Sequence, residues 1–158
     1  MADKQHHYQV AVRWTGNQGT GTSTLRGYSR NLEMLATGKP PILGSSDPAF
    51  RGDSTRWNPE DLLVASLSAC HELWYLGLCA AHGVIVQDYV DAAEGWMAEE
   101  ASGAGQFTRV LLRPVITLAP DADLAKAKAL HHDAHEKCFI ARSVNFPVEI
   151  EPRFVTGV

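Results

Sequence analysis

Asn58-Pro59-Glu60-Asp61-Leu62-Leu63-Val64-Ala65-Ser66-Leu67-Ser68-Ala69-Cys70-His71 decides how this chain folds. Asn58 is a helix N-cap, Pro59 suits the first helical turn, and Glu60 and Asp61 suit the positive end of the helix dipole. The run continues through Leu73, Trp74, Leu76 and Leu78 to a stop at Gly83. Its apolar residues cover nearly every face, so the reading is one long helix buried all round rather than amphipathic. A thiol, Cys70, stands in the middle of it.

Outward from this helix the chain reads as strands. Tyr8 to Trp14 alternates loosely, Asn17-Gln18-Gly19-Thr20-Gly21 is a turn, and Thr22 to Arg30 reads as the second arm of an antiparallel hairpin. Thr37 to Asp53, rich in Gly and Pro, is a long irregular segment leading into the cysteine helix. Val84 to Met97 is β-prone, Ala101 to Gly105 is a turn, and Phe107 to Leu118 is a strand with an edge or bulge at Pro114. A second helix opens at Pro120-Asp121 and runs to about Cys138. Its apolar side is Leu124, Ala127, Leu130 or His131, Ala134 and Cys138. Val148 to Val155 closes the chain as a strand. The order β-β-α-β-β-α-β is an α+β pattern.

The length of 158 residues points to one domain, residues 1–158. With 45% hydrophobic and 20% charged residues, the composition is that of a chain able to build a core. The formal charge of −4 and the lack of a Lys/Arg cluster exclude nucleic acid or an anionic membrane as the main partner. The polar start, Met1 to His7, is not a signal peptide, and polar residues interrupt the most apolar run. Three cysteines without a secretion signal do not make a disulfide framework, so a reducing cytoplasm is expected.

Four groups of residues bear on chemistry. Cys70 reads either as an inert buried thiol or as a reactive one, which would need cationic or hydrogen-bonding neighbours. His71 points about 100° away from it around the helix, and Arg51 and Arg56 are better placed by sequence. Cys79, nine residues on, faces the opposite side and reads as packing. Glu60 serves the helix dipole or holds a guanidinium. His131, His135 and Cys138 follow one helical face and open a metal-site alternative, against a plain His-rich solvated face.

The Asn58-Pro59-Glu60-Asp61-Leu62 start, the Ser68-Ala69-Cys70 segment and the late Cys138 together resemble the OsmC/Ohr family of thiol-dependent peroxidases. The resemblance implies an OsmC-like fold, with antiparallel sheets around two long central helices in an intertwined homodimer. It implies that Cys70 attacks an organic hydroperoxide and that Cys138 resolves the sulfenic acid as a disulfide. Glu60 would hold an arginine, Arg51 by its Phe-Arg-Gly context or else Arg56. No cofactor or metal is implied, and a small or protein dithiol, such as lipoamide, would be the reductant. Phe139-Ile140-Ala141 after the second cysteine and His71 after the first resemble a less characterised OsmC-like branch. A non-enzymatic alternative keeps the fold and uses an apolar pocket for a small acyl or aromatic ligand.

Overall fold

The computed structural model describes residues 3–157, which form two compact units divided within the first turn of the long helix, at Leu62/Leu63. In the first unit, strands β1 (Ala11–Trp14), β2 (Leu32–Leu35) and β3 (Ile42–Gly44) make an antiparallel sheet in chain order. The expected second hairpin arm, Thr22 to Arg30, is not a strand. It is a run of turns joined to the start of the loop by a single bridge, Asn17 to Tyr28. That Ser/Thr/Gly-rich stretch has no alternating apolar face to bury, whereas Leu32-Glu33-Met34-Leu35 does, and β2 takes its place beside β1 with Val12 opposite Met34. Asn17 explains the early turn: its Oδ1 accepts from the backbone N–H of Gly19 (2.9 Å) and Gly21 (3.0 Å), and both glycines have positive φ.

The second unit holds most of helix α1 (Pro59–Ala81), strands β4 (Val86–Asp91), β5 (Glu94–Glu99), β6 (Gly105–Leu112) and β7 (Pro114–Leu118), helix α2 (Leu124–Lys137), and strands β8 (Val148–Ile150) and β9 (Arg153–Thr156). Two three-stranded sheets result, β4-β7-β9 and β5-β6-β8. Each begins with an antiparallel pair and adds its third strand in parallel. Two stretches that read as single strands are each divided near a proline. Phe107 to Leu118 breaks at Pro114, and Val148 to Val155 breaks at Glu151-Pro152. In both cases the two halves join different sheets, since proline cannot donate to a ladder and sits at a strand's start or edge.

Asn58 caps α1 as expected, its Oδ1 accepting from the Asp61 N–H at 2.7 Å, and Gly83 follows the helix with φ 71°. α1 is not buried all round. Its fully buried residues are Leu67, His71, Tyr75 and Cys79, a stripe at four-residue spacing, while Leu73 is 70% exposed. One chain with two helices supplies a single face for α1 to pack on. α2 starts at Leu124, later than the sequence reading, because Asp123 caps it through Lys126 N–H at 3.0 Å. Ala127, Leu130, His131 and Ala134 are its buried face, whereas Leu124 is exposed.

The stripe on α1 meets this face of α2 in the core. Tyr75 donates its hydroxyl to the Ala127 carbonyl at 3.0 Å, and its ring stacks on His131 with centroids 3.8 Å apart. His71 Nε2 lies 2.9 Å from His131 Nδ1, with both side chains buried. Burial, with the charge of His135 second, pushes His71 down to about 4. Burial, with His71 second, pushes His131 down to about 3. An imidazole in the unfolded chain titrates near ~6.5. Below that pH the unfolded chain binds protons the folded one refuses, so the stability held at neutral pH is lost as pH falls from about 6.5 toward 4. Unfolding free energies from urea titrations at pH 7.0 and 4.5 should differ by on the order of a few kcal/mol, with the lower midpoint at pH 4.5. Nitrogen NMR of the native protein should show neither imidazole taking a proton above about pH 5. A midpoint unchanged over this range would contradict the assignment.

Candidate active site

Two thiols from the two helices meet. Cys70, half-buried, leaves the middle of α1, and Cys138, buried, caps the C-terminus of α2. The α1 and α2 contacts run antiparallel. Tyr75 reaches Ala127, His71 reaches His131, and Cys70 lies within hydrogen-bonding reach of Cys138. Burial first, and then the hydrogen bond with Cys70, push the Cys138 thiol up to about 11. Cys138 therefore keeps its proton at neutral pH. Cys138 Sγ in turn accepts from the Ala141 N–H at 3.4 Å, which fixes it where the chain leaves α2.

Aromatic rings flank the pair in sequence. Trp74 lies one turn beyond Cys70 and Phe139 follows Cys138. Their rings meet edge to face at 5.6 Å, and Lys137 Nζ lies 5.9 Å from the Trp74 ring. His71 plays no part here, since its imidazole is turned to His131. Cys79 is buried in the other core cluster, beside Tyr75, Val84 and Ile116, and burial raises its pKa.

The remaining expected residues lie earlier in the chain. Glu60 sits ten residues before Cys70 on α1, ~15 Å along the axis. Its Oε2 is buried and has no hydrogen-bond partner among the described residues. Arg51 stands in the segment that read as irregular, which is in fact closely tied. Ser45 N–H donates to the Trp57 carbonyl at 2.9 Å, Gly52 N–H to Asp47 O at 3.1 Å, and Asp53 N–H to Ser45 Oγ at 3.0 Å. Arg51 has φ 66°, a left-handed conformation uncommon outside glycine, and its N–H donates to Pro48 O at 3.1 Å. A Cβ on Gly52 would fall on the Ser46 carbonyl, so only glycine fits after Arg51. The exposed Arg51 carries no ion pair among the described residues, whereas Arg56 is engaged, with Nε 3.7 Å from Asp53 Oδ2.

The metal-site alternative fails. His131 faces His71 and Cys138 faces Cys70, and among the described residues no group of three or more His, Cys, Asp or Glu side chains could hold a metal ion. One polar contact near Cys70 was not read from the sequence. Ser68 Oγ donates to Asp91 Oδ2 at 2.5 Å, and the other Asp91 oxygen accepts from Arg113 N–H at 2.7 Å. Burial, with Asp91 second, raises the pKa of Glu72 on the same helix. Only the β4 register brings Asp91 there, and no local pattern carries that information.

A family model described as OsmC-like protein matches residues 52–153. The chain belongs to the OsmC-like family. The fold agrees. An OsmC-like protein of unknown function from Vibrio cholerae is 30% identical, with a TM-score of 0.84 over 94% of this chain and 99% of that one. An organic hydroperoxide resistance protein from Elizabethkingia anophelis, with thiocyanate bound, is 17% identical, with a TM-score of 0.66 over 98% of this chain and 100% of that one. One from Legionella pneumophila is 18% identical at the same TM-score, over 95% and 98% of the two chains. Among curated proteins none matches significantly. Glu60, Arg56, Cys70 and Cys138 of this OsmC-like protein lie within the matched segment, and Arg51 stands one residue before it.

The thiol geometry has a direct test. One equivalent of diamide should join Cys70 to Cys138 with loss of two hydrogens, and Cys79 should alkylate only after denaturation. Peptide mapping that finds Cys79 as a main partner would refute the pairing.

Proposed function

We propose that this OsmC-like protein is a thiol-dependent peroxidase that reduces organic hydroperoxides in oxidative-stress defence. The observation that carries the reading is the thiol pair itself: one half-buried thiol, Cys70, and one buried thiol, Cys138, brought into reach of each other from separate helices. Cys70 as thiolate attacks the distal peroxide oxygen. The S–O bond forms as the O–O bond breaks, and the alkoxide leaves as the alcohol after taking a proton. The resulting Cys70 sulfenic acid condenses with the Cys138 thiol, giving a disulfide and water. A small or protein dithiol of the lipoamide type restores both thiols by exchange, a cycle suited to a reducing cytoplasm. The names of the organic hydroperoxide resistance proteins that share the fold support this substrate class.

Glu60 and Arg51 enter as charge-stabilising partners. A buried carboxylate oxygen without a partner calls for a cation, and Arg51 is an exposed arginine without an ion pair among the described residues. A guanidinium held by Glu60 would stabilise the leaving alkoxide. The helical separation from Cys70 makes that difficult within one chain. A homodimer with shared sites resolves it, the Glu60 and arginine of one chain serving Cys70 of the other. The uncovered apolar surface of α1, with Leu73 outermost, supports such an interface between two copies of the single 1–158 domain.

Two experiments test the proposal. A tertiary alkyl hydroperoxide should be turned over with higher kcat/KM than hydrogen peroxide, since tail burial contributes about 0.8 kcal/mol per methylene. Cys70→Ser should abolish both reactions. A preference for hydrogen peroxide, or an active Cys70→Ser variant, would defeat the enzyme assignment. In the second experiment, inactive Cys70→Ser and Glu60→Ala chains are refolded together. A verified heterodimer should regain activity at one of its two sites, and no recovery would defeat the shared site.

A further inference from the structure

A cleft of about 320 Å³ opens beside α2, lined by Lys128, His131 and His135 from the helix and by Val148, Ile150 and Pro152 from the chain around β8. His132 adds to its exposed edge. No thiol and no carboxylate lines it. The volume lies at the lower end of small-ligand sites, roughly 300–1,000 Å³.

Two nitrogens in this lining are buried and have no partner, His131 Nε2 and His135 Nδ1. His131 decides the chemistry. It is only 5% exposed, and its Nδ1 is taken by His71 Nε2 at 2.9 Å. Tyr75 lies flat on one side of the ring, and Phe154 meets it edge-on at 5.7 Å. The ring is held in place, and with Nδ1 committed to His71 its Nε2 is the free nitrogen of a residue that lines the cleft. A buried polar atom left unpaired is costly, and a bound partner recovers that cost.

We propose that this cleft binds a small carboxylate with a short apolar tail. Among the described residues of the lining Lys128 supplies the one fixed positive charge, and Val148, Ile150 and Pro152 supply an apolar wall. In the tautomer in which His71 Nε2–H donates to His131 Nδ1, His131 Nε2–H is a donor to the carboxylate. The absence of lining carboxylates and the presence of Lys128 argue against a cationic ligand. The Nε2 atom is itself buried, so rim side chains must part to admit an oxygen. Lys128, exposed, and His135, half-exposed, are the ones able to do so. The site is separate from the thiol pair and does not depend on peroxidase activity.

Hexanoate is the probe. Calorimetry on the full chain should give saturable binding at one site per chain, and nitrogen NMR should show the His131 Nε2 resonance moving along the same curve. Lys128→Gln, on the exposed side of α2, should weaken binding at least tenfold. A Cys70→Ser, Cys138→Ser double variant should bind hexanoate as the wild type does. His131 is followed in the wild-type protein because it is a core residue whose replacement would disturb the fold. The proposal is overturned if His131 Nε2 does not respond, if hexanol or hexylamine binds as tightly as hexanoate, or if the double cysteine variant loses binding, which would put the carboxylate at the thiols.

Discussion

The hydrogen bond between His71 and His131 sets the register of α1 on α2. Tyr75 reinforces it by stacking on His131 and donating to Ala127 O. These contacts are directional, unlike the alanine and leucine packing around them, and a slide by one turn would leave buried imidazole nitrogens unpaired. With the register fixed, the antiparallel run of the helices brings Cys70 and Cys138 together. Neither thiol needs a local motif to find the other. A buried polar pair two helical turns from Cys138 on α2, and adjacent to Cys70 on α1, performs the alignment.

The same register divides α1 into three sides. One stripe, from Leu67 to Cys79, is spent on the chain's own core. Cys70 opens on the α2 end and its aromatic neighbours. The remaining apolar side, around Leu73, is uncovered by the chain itself. The helix is long and apolar enough to cross a membrane by length and composition alone. A hydrogen-bonded histidine at the middle of its buried stripe is the mark of a core helix instead, since it serves a polar partner within the protein.

Much of this was legible in the residues. The α1 start was written in Asn58, Pro59, Glu60 and Asp61, the opposite placement of Cys79 followed from helical geometry, and the α+β class followed from the alternation of segments. Three things were not legible. The all-round apolar character of α1 concealed which stripe the chain would bury, because composition does not distinguish a core face from an uncovered one. Thr22 to Arg30 looked like a strand by position, yet the competing apolar face of β2 won. His71 and His131 lie sixty positions apart, so their pairing was invisible until the helices were seen side by side. Read along α2 alone, His131 grouped with His135 and Cys138 instead.

The two strand breaks at proline bear on how the chain reaches this state. β6 and β7 leave one continuous run into separate sheets, and β8 and β9 repeat that division in parallel beside them. A parallel neighbour cannot be made by a tight turn, and here the connection contains the whole of α2. Both sheets therefore depend on the same segment: β8 and β9, which follow α2, close the two ladders. Loop closure of that length is entropically costly and slow, so the order of assembly runs from the hairpin-like antiparallel pairs, through the helix contact, to the C-terminal strands. Without β8 and β9, β6 and β7 would each keep one open edge.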